Sequence, residues 1–223
     1  MKRAELSRRT VLSTAARRTS KSRRTDFATA ILDAARALSF AHGSAGISAR
    51  KIAARAGCSA TTLYLYYRNI DDLLHHLRME GHALLAAAFS RVDPRLPAHE
   101  RIRAMGRAYY QFGLEQRGYF DLMFATRPTT VPRRDLVQRE MYTLMLLRDV
   151  VKSGIDGGEI RADVDVMVAT NALWAEIHGI TALAVSGMLM QTASGHDADV
   201  LEAILESAAR WLRPAGDAHG HTS

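Results

Sequence analysis

The fold of this chain is decided by residues 47–70, which read ISARKIAARAGCSATTLYLYYRNI. The segments 48–55 and 59–66 are both short and apolar on one side, and a tight turn at Gly57 separates them. Glycine supplies the backbone freedom that such a turn needs. Each segment begins with a serine, whose hydroxyl can cap a helix N-terminus. The stretch therefore predicts two short helices packed at a steep angle, a helix-turn-helix.

The second of these helices has one anchored side and one free side. Leu63 and Tyr66 are expected to anchor it. The residues left near its exposed N-terminal face are Ala60, Thr61, Thr62 and Tyr64. In a helix-turn-helix this end enters the major groove of DNA, where hydroxyls reach phosphates and base edges. Arg50 and Lys51 open the first helix, where phosphate contacts are geometrically reasonable. The alternative is a helical hairpin without a DNA role.

The rest of the chain is also patterned as helix. An apolar stripe runs through Phe27, Ile31, Ala34, Ala35 and Leu38, with Gly43 as its stop. A longer helix is predicted from Asp71, broken before Pro97. Further helices are predicted at 98–116, 118–126, 133–153, 163–190 and 197–212. The predicted fold class is all-α: an N-terminal three-helix helix-turn-helix head and a C-terminal helical ligand-binding and dimerisation bundle.

The positive charge of the chain is concentrated at its start. The whole chain of 223 residues carries +7, whereas residues 1–24 alone hold nine Lys or Arg against one Glu. A basic arm on a near-neutral body indicates attachment to a polyanion, or else a solvated tail. The predicted domains are a basic disordered arm at 1–24, the helix-turn-helix at 25–70, the body at 71–213 and a disordered tail at 214–223.

The head resembles the DNA-binding domain of TetR-type regulators over about residues 25–75. The resemblance is carried by Ile31-Leu32-x-Ala34-Ala35, Gly46-Ile47-Ser48, Ile52-Ala53, Ala56-Gly57, Thr62-Leu63-Tyr64 and Leu73-Leu74. It implies a homodimer with one recognition helix per half-site of a palindromic operator in double-stranded DNA. It also implies DNA contacts by Ser48, the segment from Ser59 to Tyr64, and the tyrosines Tyr66 and Tyr67.

Two positions depart from the TetR pattern. Thr61 stands where a glycine is usual before the Thr-Leu-Tyr triplet, and Ile70 stands where the family often has a phosphate-binding lysine. We expect Arg68 or the basic arm to replace the contact of that lysine.

The body is rich in aromatic and methionine side chains, which at helical spacing form core packing or the walls of an apolar ligand pocket. The candidate ligand-binding residues are Tyr110, Phe120, Met123, Phe124, Met141, Met145, Trp174 and His178. The set Trp174, His178 and Gly179 resembles the TetR C-terminal domain class named for its Trp-His-Gly signature. His178 can bond a polar ligand group, or it is satisfied within the core. The ligand is expected to be a small apolar or amphipathic molecule.

The last two helices are predicted to dimerise. Their apolar residues recur at spacings of three and four, and a two-helix face repeated by a twofold axis forms a four-helix bundle. The predicted interface residues are Leu183, Leu201, Ile204, Leu205, Ala208, Trp211 and Leu212. The alternative is that these residues pack only within their own chain.

Other classes of function find little support in the sequence. One cysteine, Cys58, excludes an intrachain disulfide and a multi-cysteine metal site and fits a reducing, cytoplasmic setting. His75, His76 and His82 lack partner ligands at metal-site spacing. No apolar run is long enough to span a membrane. We predict no metal, no cofactor and no catalytic residues.

The sequence thus predicts a transcriptional regulator, a repressor released from its operator by a ligand. The rival hypotheses are a constitutive DNA-binding protein without a ligand and an all-helical enzyme.

Overall fold

A computed structural model describes residues 25–43, 46–124, 141–190 and 197–214. All the regular secondary structure of these residues is helical. The helices are α1 at 25–42, α2 at Ala49–Arg55, α3 at Ala60–Tyr64, α4 at Ile70–Phe89, α5 at Ala98–Glu115, α6 at Arg117–Phe124, α7 at Tyr142–Asp156, α8 at Val166–Ser186 and α9 at Asp197–Leu212. The all-α prediction is confirmed.

Contacts divide the chain into two units, one ending at Leu77 and the other beginning at Arg78, so that the division falls within α4. The first unit, called the head below, contains α1, α2, α3 and the first turns of α4. The second unit, called the body, contains the rest of α4 and α5 to α9. The predicted arm at 1–24 and the tail beyond Pro214 lie outside the described residues.

The head is held together by a small apolar core. The buried residues come from all four of its helices and from the loop after α3: Ile31, Ala34, Ala35, Ile52, Ala53, Leu63, Tyr67, Leu73 and Leu77. Gly43 ends α1 at a φ of 68°, in the left-handed region that glycine adopts without steric cost. Asp71 and Asp72 lie in the first turn of α4, where carboxylates interact favourably with the helix dipole.

The body is built around α5 and α8, which pack on each other and are both flanked by α7 and α9. Its buried side chains form two apolar clusters. One, around Tyr109, Phe112, Phe120, Ile177 and Leu205, is rich in aromatic rings. The other, around Ile102, Val151, Ile160, Leu173 and Leu212, is mostly aliphatic.

Two helix ends in the body differ from the prediction. The helix predicted to end at 153 continues to Asp156, so Gly154 lies inside α7. A Cβ at Gly154 would press on Ala98 and Ile160, so glycine there allows close packing. The turn comes instead at Gly157 and Gly158. The helix predicted to run to residue 190 ends at Ser186, since Gly187 adopts a φ of 70°. Residues 133–140, predicted as helix, lie outside the described part.

Candidate DNA-contacting surface and ligand cavity

The turn between α2 and α3 has the capping that the sequence predicted. The Ser48 hydroxyl accepts a hydrogen bond from the Lys51 amide at 3.3 Å, and the Ser59 hydroxyl accepts one from the Thr62 amide at 3.0 Å. Gly57 has a φ of 68°, as the turn requires. The next amide, that of Cys58, donates to the Ala53 carbonyl at 2.9 Å and ties the turn back to α2. These bonds fix where α3 begins and which way its first turn faces.

The side of α3 opposite its anchor is open to solvent. Leu63 is fully buried, whereas Tyr64 is 50% exposed and Thr61 is also exposed. Ala60 and Thr62 are half-buried, and the Thr62 hydroxyl shares a 2.8 Å hydrogen bond with the exposed Ser59 hydroxyl. The leading end of α3 therefore presents hydroxyls on a short, anchored helix, and Thr61 replaces the usual glycine without being enclosed by neighbouring atoms.

Basic side chains lie exposed at both ends of this segment. Arg50 and Lys51 are in the first turn of α2, and the Lys51 ammonium donates to the Gly46 carbonyl at 3.0 Å. Arg68 is exposed after α3, and its backbone amide donates to the Asp72 carboxylate at 3.0 Å. That hydrogen bond is made by the backbone of Arg68 and does not involve its guanidinium.

The two tyrosines after α3 differ in position. Tyr66 is half-buried and stacks on Phe27, with ring centroids 6.0 Å apart. Tyr67 is 6% exposed, and its hydroxyl donates to the Ala28 carbonyl at 3.0 Å. The prediction that Tyr67 contacts DNA is therefore corrected: its ring belongs to the core of the head, and its hydroxyl is already bonded there.

The body encloses a cavity of about 290 Å³, a size at the lower end of small-molecule sites. Six helices, α4 to α9, contribute to its wall, together with Met141, which precedes α7. The wall is mostly aliphatic, aromatic and methionine side chains. Its polar groups come from His82, Tyr109, Thr143, Trp174 and Glu176.

Half of the predicted ligand-binding residues line this cavity. They are Met123, Phe124, Met141 and Trp174. The other four, Tyr110, Phe120, Met145 and His178, are not part of its wall, and the prediction is corrected for them. Tyr110 and Phe120 are buried in the aromatic cluster. The His178 ring stacks on Phe120 with centroids 5.4 Å apart.

The alternative for His178, satisfaction within the core, is what the structure has. Its Nδ1 lies 2.9 Å from the Tyr109 hydroxyl, which fits donation by the tyrosine to an unprotonated nitrogen. Burial lowers the pKa of His178, which favours that neutral form. Burial also raises the pKa of Tyr109, so the tyrosine keeps its proton. Tyr109 itself lines the cavity, and His178, which does not, holds the Tyr109 hydroxyl in place.

Several wall residues escaped the sequence analysis. His82, considered there only as a metal ligand, is 5% exposed, and its Nδ1 lies 3.0 Å from the Thr143 hydroxyl, 61 residues away in the chain. Glu176 lies in the same wall, and burial raises the pKa of its carboxyl. No local pattern joins α4, α7 and α8, so only the tertiary structure brings these groups together.

The predicted dimer residues also divide into two groups. Leu201, Leu205, Ala208 and Leu212 are each at most 6% exposed within the single chain, and Ile204 lines the cavity. For the four buried residues the alternative of packing within their own chain holds, and the prediction of interchain contact is corrected. For Ile204, which is half-buried, interchain contact stays a prediction. Leu183 and Trp211 are 42% and 39% exposed and remain accessible to another chain.

Among the described residues, no group of three or more His, Cys, Asp or Glu side chains is placed to hold a metal ion. No described helix combines the length and the apolar composition needed to cross a membrane.

Two protein-family models match the chain. The model of bacterial regulatory proteins of the tetR family matches residues 31–77, and the model of the tetracyclin repressor-like C-terminal domain matches residues 102–209. Together they cover more than half of the chain, and the second includes the Trp174, His178 and Gly179 set. No curated protein sequence matches significantly.

Solved structures share the fold over most of their length. A protein of unknown function from Rhodococcus sp. RHA1 is 25% identical, with a TM-score of 0.70, and the match covers 84% of this chain and 95% of that one. The regulator FadR from Bacillus subtilis, solved in complex with stearoyl-CoA, is 18% identical, with a TM-score of 0.67 and coverages of 83% and 99%. A TetR family regulator from Marinobacter aquaeolei VT8 is 20% identical, with a TM-score of 0.64 and coverages of 86% and 98%.

Proposed function

Because the chain belongs to the TetR family of bacterial regulators, and is therefore a DNA-binding transcriptional regulator, we propose that it is a homodimeric repressor that a small hydrophobic ligand releases from a palindromic operator. The observation that carries this proposal is the geometry of α3. A short helix with a capped start and a buried anchor at Leu63 presents Thr61 and Tyr64 to solvent. Base readout in a major groove needs that combination of fixed position and accessible polar atoms.

The outer face of α8 supports the dimer. This helix is apolar around most of its circumference, and its exposed side includes Val168, Ala175 and Leu183. A Cβ added at Gly179 would meet open space within this chain. An apolar helix face with a small residue at its middle suits close approach by the same helix of a second copy. Trp211 on α9 extends this accessible apolar surface.

The cavity supports ligand control. His82, Leu85 and Phe89 of its wall belong to α4, the helix that begins in the head. A ligand that fits the wall better in one position of α4 than in another shifts the population of dimer shapes by that difference in affinity. Release then follows if the favoured shape holds the two recognition helices at a separation other than the roughly 34–36 Å of successive major grooves.

The test is selection of bound duplexes from random DNA by the full-length protein. We expect a palindromic product. The double variant Thr61→Ala, Tyr64→Ala should bind it about tenfold or more weakly, since each base or phosphate contact is worth about 1 kcal/mol or more. The matched control, Gln111→Ala with Leu114→Ala on the exposed side of α5, should bind as the native protein does. Loss of binding in the control, or none in the α3 variant, would contradict the proposal.

Filling the cavity tests the ligand part. Ala208 lines the wall, and Ala208→Met places a flexible side chain in the open space. We expect this variant to bind operator normally and to lose the response to any releasing compound. A variant that still responds would show that the ligand binds elsewhere, and a native protein released by no compound would favour the constitutive DNA-binding alternative.

A further inference from the structure

The mostly apolar wall of the cavity includes one carboxylate residue, and this residue is exposed to solvent. Of the twenty described residues that line the cavity, Glu176 is the one Asp, Glu, Lys or Arg. Within the described part of the chain this carboxylate has neither an ion pair nor a hydrogen bond. Partial desolvation raises the pKa of its carboxyl, so the charged form carries a solvation cost there that the exposure of the residue limits. A positive charge placed in the cavity would relieve that cost.

Aromatic rings form another part of the same wall. The ring centroid of Trp174 is 6.3 Å from that of Phe124. The Phe124 centroid is in turn 6.1 Å from that of Tyr109. All three rings line the cavity. The faces of aromatic rings carry negative potential and attract ammonium groups, and tryptophan does so most strongly.

A carboxylate and a group of aromatic rings both attract cations. The rings bind hydrophobic groups and cations, whereas the carboxylate repels anions and attracts cations. The His82 and Tyr109 side chains are already engaged, with Thr143 and His178 respectively. The described wall therefore offers a hydrophobic amine both surface and charge, and it offers an acyl carboxylate only repulsion.

We propose that the ligand of this cavity is a hydrophobic amine or quaternary ammonium compound, with its cationic group attracted by Glu176 and its hydrophobic part among the aromatic rings of the wall. The proposal rests on the ligand-controlled function proposed above. It identifies the class of ligand and assigns Glu176 as the residue that selects it. A cavity of about 290 Å³ suits one aromatic ring with a short alkyl chain.

The experiment uses three probes of matched shape: phenylbutylamine, phenylbutanol and phenylbutyrate, which are cationic, neutral and anionic at neutral pH. Binding to the full-length protein is measured by calorimetry and by thermal shift in the absence of DNA. We expect the amine to bind about tenfold more tightly than the alcohol, because a charged contact at a partly exposed site adds roughly that much. The acid should bind more weakly than the alcohol.

The variant Glu176→Gln removes the charge and keeps the shape of the side chain. We expect it to bind the amine about tenfold more weakly than the native protein and to bind the alcohol unchanged. Unchanged alcohol binding demonstrates an intact cavity. The matched control is Glu206→Gln, which neutralises an exposed glutamate on α9 that does not line the cavity. It should leave the binding of all three probes unchanged.

Other outcomes overturn the proposal. They are equal binding of the three probes, preference for the acid, binding of none, and an amine affinity that Glu176→Gln does not lower. The probe series on the native protein decides the ligand class even if the variant fails to fold. Operator binding without any probe tests the DNA-binding function separately, so that a wrong ligand class and a wrong regulator function give different results.

Discussion

The head and the body place their functional groups in the chain in opposite ways. The surface proposed to contact DNA comes almost entirely from residues 48–68, one short segment with its own caps, turn and anchor. The cavity wall is drawn from positions between His82 and Ala208, on six helices. Helix-turn-helix geometry is thus a local property, whereas the composition of the cavity depends on how distant helices pack. Four substitutions test this contrast, in order of expected effect.

The largest effect is expected from removing the anchor of α3. Leu63 is fully buried, so Leu63→Ala should reduce the free energy of unfolding by about 2–5 kcal/mol and abolish operator binding. Leu65, two residues on, is 70% exposed, and Leu65→Ala should change stability by less than about 0.5 kcal/mol. Denaturant unfolding of both variants measures the difference. Equal losses would show that α3 is not anchored as described.

The body has a glycine that is required for packing. A Cβ at Gly113 would overlap the Thr181 methyl group, and Thr181 is held in place because its hydroxyl donates to the Ile177 carbonyl at 2.6 Å. Gly113→Ala should therefore cost about 1–3 kcal/mol. Gly179→Ala is the control, because its Cβ would enter open space in the protomer. It should not destabilise the protomer. A lower average mass in sedimentation, and so a smaller fraction of dimer, would indicate that α8 forms the interface.

The head has a glycine that is required for its backbone conformation. Gly57 has a φ of 68° and no atom within 4 Å of a Cβ built there. Gly57→Ala should cost about 1–2 kcal/mol through backbone strain alone. Gly57→Asn should recover most of that loss, because asparagine tolerates the left-handed region. Thermal unfolding of both variants decides the cause: equal losses would point to steric contact instead of strain.

The smallest effect is a pH dependence in the body. Burial lowers the pKa of His178, so the unfolded chain binds a proton more readily than the folded chain as pH falls below 6.5. The stability present above 6.5 is lost as pH falls, with a slope below about 1.4 kcal/mol per pH unit, the limit for one proton. Glu176, whose pKa burial raises, acts in the opposite direction. The pH dependence of stability is measured for the native protein and for His178→Gln, and the difference between the two slopes is the contribution of the histidine. Identical slopes would contradict the assignment.

Local chemistry was sufficient to predict most of the head. The hydroxyls of Ser48 and Ser59 cap α2 and α3, and Gly57 has the positive φ that the turn requires. The prediction that Tyr67 contacts DNA was wrong, since the sequence near an exposed helix does not show whether a tyrosine ring points outward or into the core. Its 3.0 Å bond to the Ala28 carbonyl, 39 residues away, is a tertiary contact.

In the body, the sequence predicted that there are helices and that their faces are apolar, but not which apolar residues face a cavity. Phe120 and Phe124 lie one helical turn apart on α6, yet only Phe124 lines the cavity. Leu205 and Trp211 belong to one amphipathic helix, yet Leu205 faces the core and Trp211 faces solvent. Helical periodicity identifies an apolar face and gives no information about what the face contacts.

The amino-acid sequence by itself determined the helical class, the caps and turn of the helix-turn-helix and the family, because each depends on residues a few positions apart. The tertiary structure alone decided that His82, Thr143 and Glu176 share one wall and that Leu201, Leu205, Ala208 and Leu212 of α9 pack into their own chain. Those facts depend on the packing of helices that are distant in the sequence, and side-chain volume and burial determine that packing only when the whole body is assembled.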